Sequence, residues 1–139
     1  MPSSVALPDG ELPMAETTQW LSGIVSLVGA WIAISPFVLT PVMTTASLWN
    51  NIIIGAAIFL IAGYNYYRLS QDLPVSVGAA SLVALLGLWM IVAPLFVFTV
   101  ESAVMFWSNV VSGAAVAIIA GYNAYAGRET RQMAPAETT

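Results

Sequence analysis

The chain of 139 residues is 59% hydrophobic and only 7% charged, with a formal net charge of −4, whereas soluble domains carry roughly 25% charged residues. It contains neither cysteine nor histidine, which excludes disulfides, thiolate catalysis and the usual thiolate or imidazole metal sites. Only three residues are basic, so the basic patch needed for nucleic-acid binding is missing.

The charged residues divide the chain into long uncharged segments. No charge lies between Glu16 and Arg68, between Asp72 and Glu101, or between Glu101 and Arg128. Because a bilayer core about 30 Å thick needs roughly 20 apolar residues per helix, the first segment holds two spans and the other segments hold one each. The predicted helices cover residues 19–39, 47–68, 74–98 and 103–127. We therefore predict an all-α integral membrane four-helix bundle.

These spans form two hairpins between polar ends. Residues 1–18 are predicted to be a disordered polar tail, 19–68 the first transmembrane hairpin, 74–127 the second, and 128–139 a polar C-terminal tail. The first 18 residues lack the basic start and short apolar core of a secretory signal peptide, so we expect the first span to direct insertion.

Three arginines predict the orientation in the membrane. Arg68 follows the second span, and Arg128 and Arg131 follow the fourth. Basic residues concentrate in cytoplasmic loops, so we expect a cell-membrane protein with both termini in the cytoplasm.

The two hairpins are tandem copies of one unit. A shift of 58 residues aligns Trp, Pro, Asn and Tyr as well as the commoner apolar residues. Aligned pairs include Trp31 with Trp89, Pro36 with Pro94, Trp49 with Trp107, Asn51 with Asn109, and Gly55 with Gly113. Both copies contribute two spans, so the expected pseudo-twofold axis runs along the membrane normal, as in parallel repeats.

At these residues the chain resembles the SPW repeat family, whose unit has two helices, a Ser-Pro-Trp element and a following Trp-Asn-x-x-x-x-Gly element. The first element corresponds to Ser35-Pro36-Phe37 and Ala93-Pro94-Leu95, and neither copy keeps its Trp. The second corresponds to Trp49-Asn50 through Gly55 and Trp107-Ser108 through Gly113. The resemblance implies a membrane fold and no particular reaction.

The prolines predict a role for the buried amides. Pro36 lacks an N–H and therefore frees the carbonyl of Ile32, four residues earlier, and Pro94 does the same at Met90. A freed carbonyl in lipid needs a donor. Asn51 and Asn109 lie at a similar depth, so we expect each amide to bridge to the Pro-containing helix of its own hairpin. The alternative is that these amides bind a ligand.

The tryptophans fall into two classes. Trp49 and Trp107 lie at the outer ends of their spans, where an interfacial aromatic belt is expected. Trp31 and Trp89 lie inside the span. We expect them to pack against the opposite hairpin, with contact to a pigment or lipid as the alternative.

Small and polar residues predict helix contacts. Asn51, Gly55, Ile58, Ala62 and Asn65 form a seam with heptad-like spacing, and the second copy repeats it from Asn109 to Asn123. A stripe of Gly113, Ala117 and Gly121 is interrupted in the first copy by Phe59. We expect this stripe to meet another subunit, or alternatively to pack within its own chain, while Phe59 faces lipid or fills the core.

The spans offer little chemistry, because they contain no ionisable catalytic group beside their hydroxyls and amides. We expect no catalytic residue, cofactor or metal, and therefore no enzyme. The expected function is that of a structural or accessory protein whose partners are membrane lipid and either further copies of itself or another membrane protein. A channel or carrier for small neutral solutes and a lipid- or carotenoid-binding protein are the alternatives.

Overall fold

The computed structural model contains four long helices and no strand among the residues it describes. It describes the backbone of residues 11–39, 44–97 and 102–133, and the side chains of residues 16–39, 44–96 and 102–128. The helices are α1 (Glu11–Leu39), α2 (Thr45–Ser70), α3 (Val77–Val92), which continues into a π-helical turn (Ala93–Val97), and α4 (Ala103–Met133). All four are long and apolar enough to cross a membrane, which confirms the predicted fold.

Two helices extend into segments that were predicted to be polar tails. α1 begins at Glu11 rather than near residue 19, and α4 continues to Met133. Pro13 lies in the first turn of α1, where a missing backbone N–H costs nothing. Residues 1–10 and 134–139 lie outside the described part of the chain.

Hydroxyl side chains cap the starts of three helices. Thr44, Ser76 and Ser102 accept hydrogen bonds from the backbone N–H three residues later, at distances of 3.1, 3.2 and 3.2 Å. Each cap satisfies one of the donors that a helix start leaves unpaired. In all three helices the cap marks where the helix begins.

The connection between α2 and α3 is a compact turn. The N–H groups of Leu73 and Asp72 donate to the carbonyls of Arg68 (2.9 Å) and Leu69 (3.1 Å), which is the pattern of a Schellman motif. Asp72 has the left-handed φ of 63° that this motif requires. Arg68 Nε also donates to the Pro74 carbonyl at 2.9 Å. The turn is therefore held at both ends.

The helices form a closed ring in chain order. Each helix packs against its sequence neighbours, and α4 also packs against α1. The predicted seam is buried in both copies, which confirms its position. The buried apolar core comprises Val25, Ile32, Ile58, Ala62, Val83, Met90, Val116 and Ala120.

Glycines bring the two helices of each hairpin into close contact. A methyl group added to Gly29 would lie 2.6 Å from the backbone N of Phe59, and one added to Gly87 would lie 2.6 Å from the backbone N of Ala117. Gly55 and Gly113 meet these glycines from the facing helix. The same crossing therefore occurs twice, and it supplies the van der Waals contact on which membrane helices rely.

Two alanine substitutions on α4 test this crossing. In Gly113→Ala, the new methyl would lie 2.7 Å from the Gly87 carbonyl oxygen and 2.9 Å from Met90 Cβ, so α3 and α4 must separate. In the control Gly121→Ala, the methyl would meet nothing within 4 Å. We expect a lower melting temperature in detergent only for Gly113→Ala. The control should match the wild type or exceed it, since Ala favours a helix by up to about 1 kcal/mol over Gly. Equal melting temperatures for both variants would contradict the close crossing.

Candidate functional site

Two buried amides form a reciprocal pair at the centre of the bundle. Asn51 Nδ2 donates to Asn109 Oδ1, and Asn109 Nδ2 donates to Asn51 Oδ1, both at 3.0 Å. Their exposed fractions are 0% and 2%. The two residues are one repeat length of 58 residues apart, so the pair lies on the pseudo-twofold axis. It connects α2 with α4 across the diagonal of the bundle.

The second N–H of Asn51 reaches the carbonyl that Pro36 frees. Asn51 Nδ2 lies 3.1 Å from the Ile32 oxygen, which is the bridge predicted for the first copy. The hydroxyl of Ser35 donates to the same oxygen at 3.0 Å. The freed carbonyl thus has two donors, and α1 continues through Pro36 as far as Leu39.

The second copy resolves the same problem differently. The predicted bridge from Asn109 to the Met90 carbonyl is wrong for the described structure, in which the Asn109 amide donates to Asn51. Ala93 occupies the position of Ser35 and has no hydroxyl to donate. Here the helix opens into the π-helical turn Ala93–Val97 around Pro94. Proline and π-bulges are both known causes of such local distortion.

Trp31 and Trp89 connect the two hairpins. Trp31 Nε1 donates to Ser108 Oγ at 2.9 Å, and Trp89 Nε1 donates to Asn50 Oδ1 at 2.8 Å. The two bonds are related by the 58-residue shift, so each hairpin donates one and accepts one. The expectation that these indoles pack against the opposite hairpin is confirmed.

The outer tryptophans and Phe59 face away from the core. Trp49 and Trp107 are 54% and 59% exposed near the starts of α2 and α4, as an aromatic belt requires. Phe59 is 43% exposed. Of the two positions expected for Phe59, the structure therefore selects the exterior.

The seam has a second set of buried amides, at the end next to the turn between α2 and α3. Asn65 accepts from Ser76 N at 2.8 Å and donates to Ser76 O at 3.3 Å, which ties α2 to the start of α3. Asn123 Nδ2 donates to Ser22 Oγ at 3.1 Å and ties α4 to α1. Sequence reasoning did not find Ser22 or Ser76 as partners, because neither recurs as the same residue in the other copy.

The stripe proposed as an intersubunit contact is divided between two environments. Gly113 is buried against Gly87 and Met90 of α3, and the backbone of Ala117 also lies against Gly87. Gly113 therefore belongs to the intrachain alternative, and its assignment to an intersubunit surface is wrong. Gly121 has no neighbour within 4 Å of an added methyl and lies on the exterior flank of α4.

The chemistry of this interior is that of neutral donors and acceptors. Its polar atoms are amide, hydroxyl, indole and backbone groups, and most of them are already joined to one another. The described residues contain no group of three or more histidine, cysteine or carboxylate side chains that could hold a metal ion. The arrangement serves to fasten helices together.

Leucine substitutions test the amide pair. Leu has the same branching as Asn but no polar atom, so Asn51→Leu removes three hydrogen bonds and leaves the Asn109 amide buried without its partner. We expect Asn51→Leu and Asn109→Leu each to lower the free energy of unfolding in detergent. The loss should be larger for Asn51→Leu, because this variant also removes a hydrogen bond to the Ile32 carbonyl. The double variant should lose less than the sum, by about 0.6 to 1.7 kcal/mol. Additive losses would argue against the pair, and loss of a bound molecule at unchanged stability would assign the amides to a ligand.

Comparison with known proteins agrees with the repeat architecture. The SPW repeat domain matches residues 19–123, which cover the four spans from the start of the first predicted helix to Asn123. No curated protein and no solved structure gives a match. Because the match covers most of the chain and both hairpins, this protein belongs to the SPW repeat family.

Proposed function

We propose that this protein is a non-enzymatic structural or accessory component of the cell membrane that acts through helix contacts, as a homo-oligomer or as a small subunit of a larger assembly. The observation that carries the proposal is the use of the polar groups within the spans. The amides of Asn51 and Asn109 and the indoles of Trp31 and Trp89 bind the chain's own helices. They are therefore committed to the fold rather than to a substrate.

The packed interior argues against a conduit through one subunit. Ile32, Ile58, Met90 and Val116 are each fully buried between the helices. Among the described residues, a cavity lined by core residues such as Val25, Ala62 and Val83 has a volume of about 10 Å³, which is close to the minimum for one water molecule. A path for a neutral solute would need several subunits around it.

The exterior surfaces of the two hairpins differ. This difference supports a contact between the second hairpin and a helix of another subunit or partner protein. Trp20, Phe59 and Tyr66 stand out from α1 and α2, with 67%, 43% and 44% of their surfaces exposed. The equivalent positions of the second copy, 58 residues later, are occupied by Gly78, Ala117 and Ala124. The exterior of α3 and α4 is therefore flat at these positions, which allows close approach of another helix.

A lipid or carotenoid ligand is the second candidate, because grooves open on the exterior of α1. One groove of about 350 Å³ lies between α1 and α4 and includes Leu27, Trp31 and Ser112. Another of about 320 Å³ lies between α1 and α2 and includes Trp20 and Tyr66. Both are apolar and face the expected bilayer, so an acyl or polyene chain fits their chemistry. Visible absorbance and lipid mass spectrometry of the purified protein test this candidate directly.

Bulk added to the flat exterior tests the proposed contact. Ala117→Phe restores the residue of the first copy, and its backbone packs against Gly87 as that of Phe59 packs against Gly29. We expect the monomer to fold and the assembly to dissociate in native mass spectrometry. Leu60→Phe, at a position 65% exposed on α2, adds aromatic bulk elsewhere and should leave the assembly intact.

Other outcomes of this experiment point elsewhere. An unchanged assembly in Ala117→Phe would place the contact on another face. Loss of the folded monomer would assign Ala117 to the intrachain packing. A wild-type protein that remains a single chain without a partner in mild detergent would contradict the proposal as a whole.

We also propose that both termini are cytoplasmic, supported by Arg68 and Arg128 at the same end of the bundle. The chain has no cysteine, so single introduced cysteines report accessibility without background. In intact cells, a membrane-impermeant maleimide should label Glu101→Cys and should label Asp72→Cys only after permeabilisation. The reverse pattern would invert the orientation.

A further inference from the structure

One buried polar atom, at the end of the bundle next to the turn between α2 and α3, has no hydrogen-bond partner among the described residues. Among the described residues, Asn123 Oδ1 is the buried side-chain atom that makes no hydrogen bond. Asn123 is only 3% exposed, and its Nδ2 is already bonded to Ser22 Oγ. Rotating the amide by 180° would exchange the two atoms and would leave Nδ2 unpaired instead. A buried amide atom without a partner costs free energy, so this site needs an additional group.

A small cavity lies at this atom. Its volume is about 10 Å³, and its lining combines the polar side chains of Ser22, Asn65 and Asn123 with apolar ones, namely Val25, Ala62, Ala80, Val83 and Ala120. Ser22 and Asn65 are each 2% exposed. The cavity thus has the size of one water molecule and contains several polar groups, as buried water sites do.

The repeat explains why Asn123 is unpaired whereas Asn65 is not. Asn65 Oδ1 accepts from the backbone N–H of Ser76, which precedes the first residue of α3. A shift of 58 residues places Thr18 at the equivalent position before the first repeat. Thr18 lies inside α1, which begins at Glu11, so its N–H points along the helix towards the carbonyl four residues earlier. The extension of α1 therefore removes the donor that Asn123 would otherwise receive.

We propose that this cavity is a binding site for one structural water molecule, which donates a hydrogen bond to Asn123 Oδ1. Ser22 and Asn65 complete its coordination. The hydroxyl hydrogen of Ser22 and the second N–H of Asn65 are the available donors to the water. The water joins α1, α2 and α4 at this end of the bundle, where the hairpins are not joined by an amide pair like that of Asn51 and Asn109.

The chemistry of the site favours water over an ion. Its polar groups are all neutral, and the surrounding valines and alanines provide no countercharge. An unpaired charge within a membrane bundle is costly. A water molecule supplies the donor that Oδ1 lacks and introduces no charge.

A crystal structure of the full chain, at a resolution that shows ordered solvent, tests the proposal directly. We expect a water molecule at hydrogen-bond distance, about 2.7 to 3.2 Å, from Asn123 Oδ1. A protein donor on this atom, an ion in the cavity, or a solvent-free cavity would each overturn the proposal.

A pair of variants provides a second test in solution. Ala120 lines the cavity one turn before Asn123, and Thr and Val have nearly the same shape. Both Ala120→Thr and Ala120→Val should displace the water, but only Thr supplies a hydroxyl to replace it. We therefore expect the Thr variant to melt at a higher temperature than the Val variant.

The matched control uses the same two substitutions at Ala115. This residue is on the same helix and lines the exterior groove instead, so the pair there measures the intrinsic difference between Thr and Val in this helix. The melting temperature of the Thr variant minus that of the Val variant should be larger at Ala120 than at Ala115. If the Val variant melts at the same temperature as the Thr variant, or at a higher one, at both positions, Asn123 requires no donor and the proposal fails.

Discussion

The rest of the structure depends on the reciprocal amide pair of Asn51 and Asn109. In an apolar interior each amide is costly to bury alone, but together they satisfy one another at 3.0 Å in both directions. The pair also fixes the register of the hairpins, because a shift of either by one residue would turn its amide away from the axis. Most other contacts between the hairpins, including the Trp31 and Trp89 bonds, follow once this register is set.

A proline within a membrane span creates a second constraint, and the two copies satisfy it with different groups. In α1, Ser35 and Asn51 both donate to the carbonyl freed by Pro36, and the helix continues. In the second copy Ala93 offers no hydroxyl, and a π-helical turn forms around Pro94. The Ser-Pro element of the family thus has a physical explanation here, since the serine caps the carbonyl that its neighbouring proline releases.

The two copies contribute equivalent residues at the pseudo-twofold axis, where Asn51 meets Asn109. Away from the axis their residues differ. At the end next to the turn between α2 and α3, Asn65 accepts from a backbone N–H just before α3, whereas the equivalent N–H in the first copy lies inside the extended α1, and Asn123 pairs with Ser22. On the exterior, three aromatic residues of the first hairpin have only small residues as counterparts in the second. The core is therefore pseudo-symmetric, whereas the surfaces that meet lipid or a partner are not.

The sequence by itself determined the four spans, the tandem repeat and the buried seam. The bilayer requires long uncharged segments, and a 58-residue repeat of unlike residue types reveals which positions share a role. It also predicted the bond from Asn51 to Ile32, because that donor and acceptor lie at one depth within one hairpin. Only the tertiary structure decided that the amides meet each other, that Gly113 packs against α3, and that Asn123 Oδ1 has no hydrogen-bond partner among the described residues. These features depend on how two hairpins approach across an axis, and that approach is set by side-chain volumes on four helices at once rather than by the spacing along any one of them.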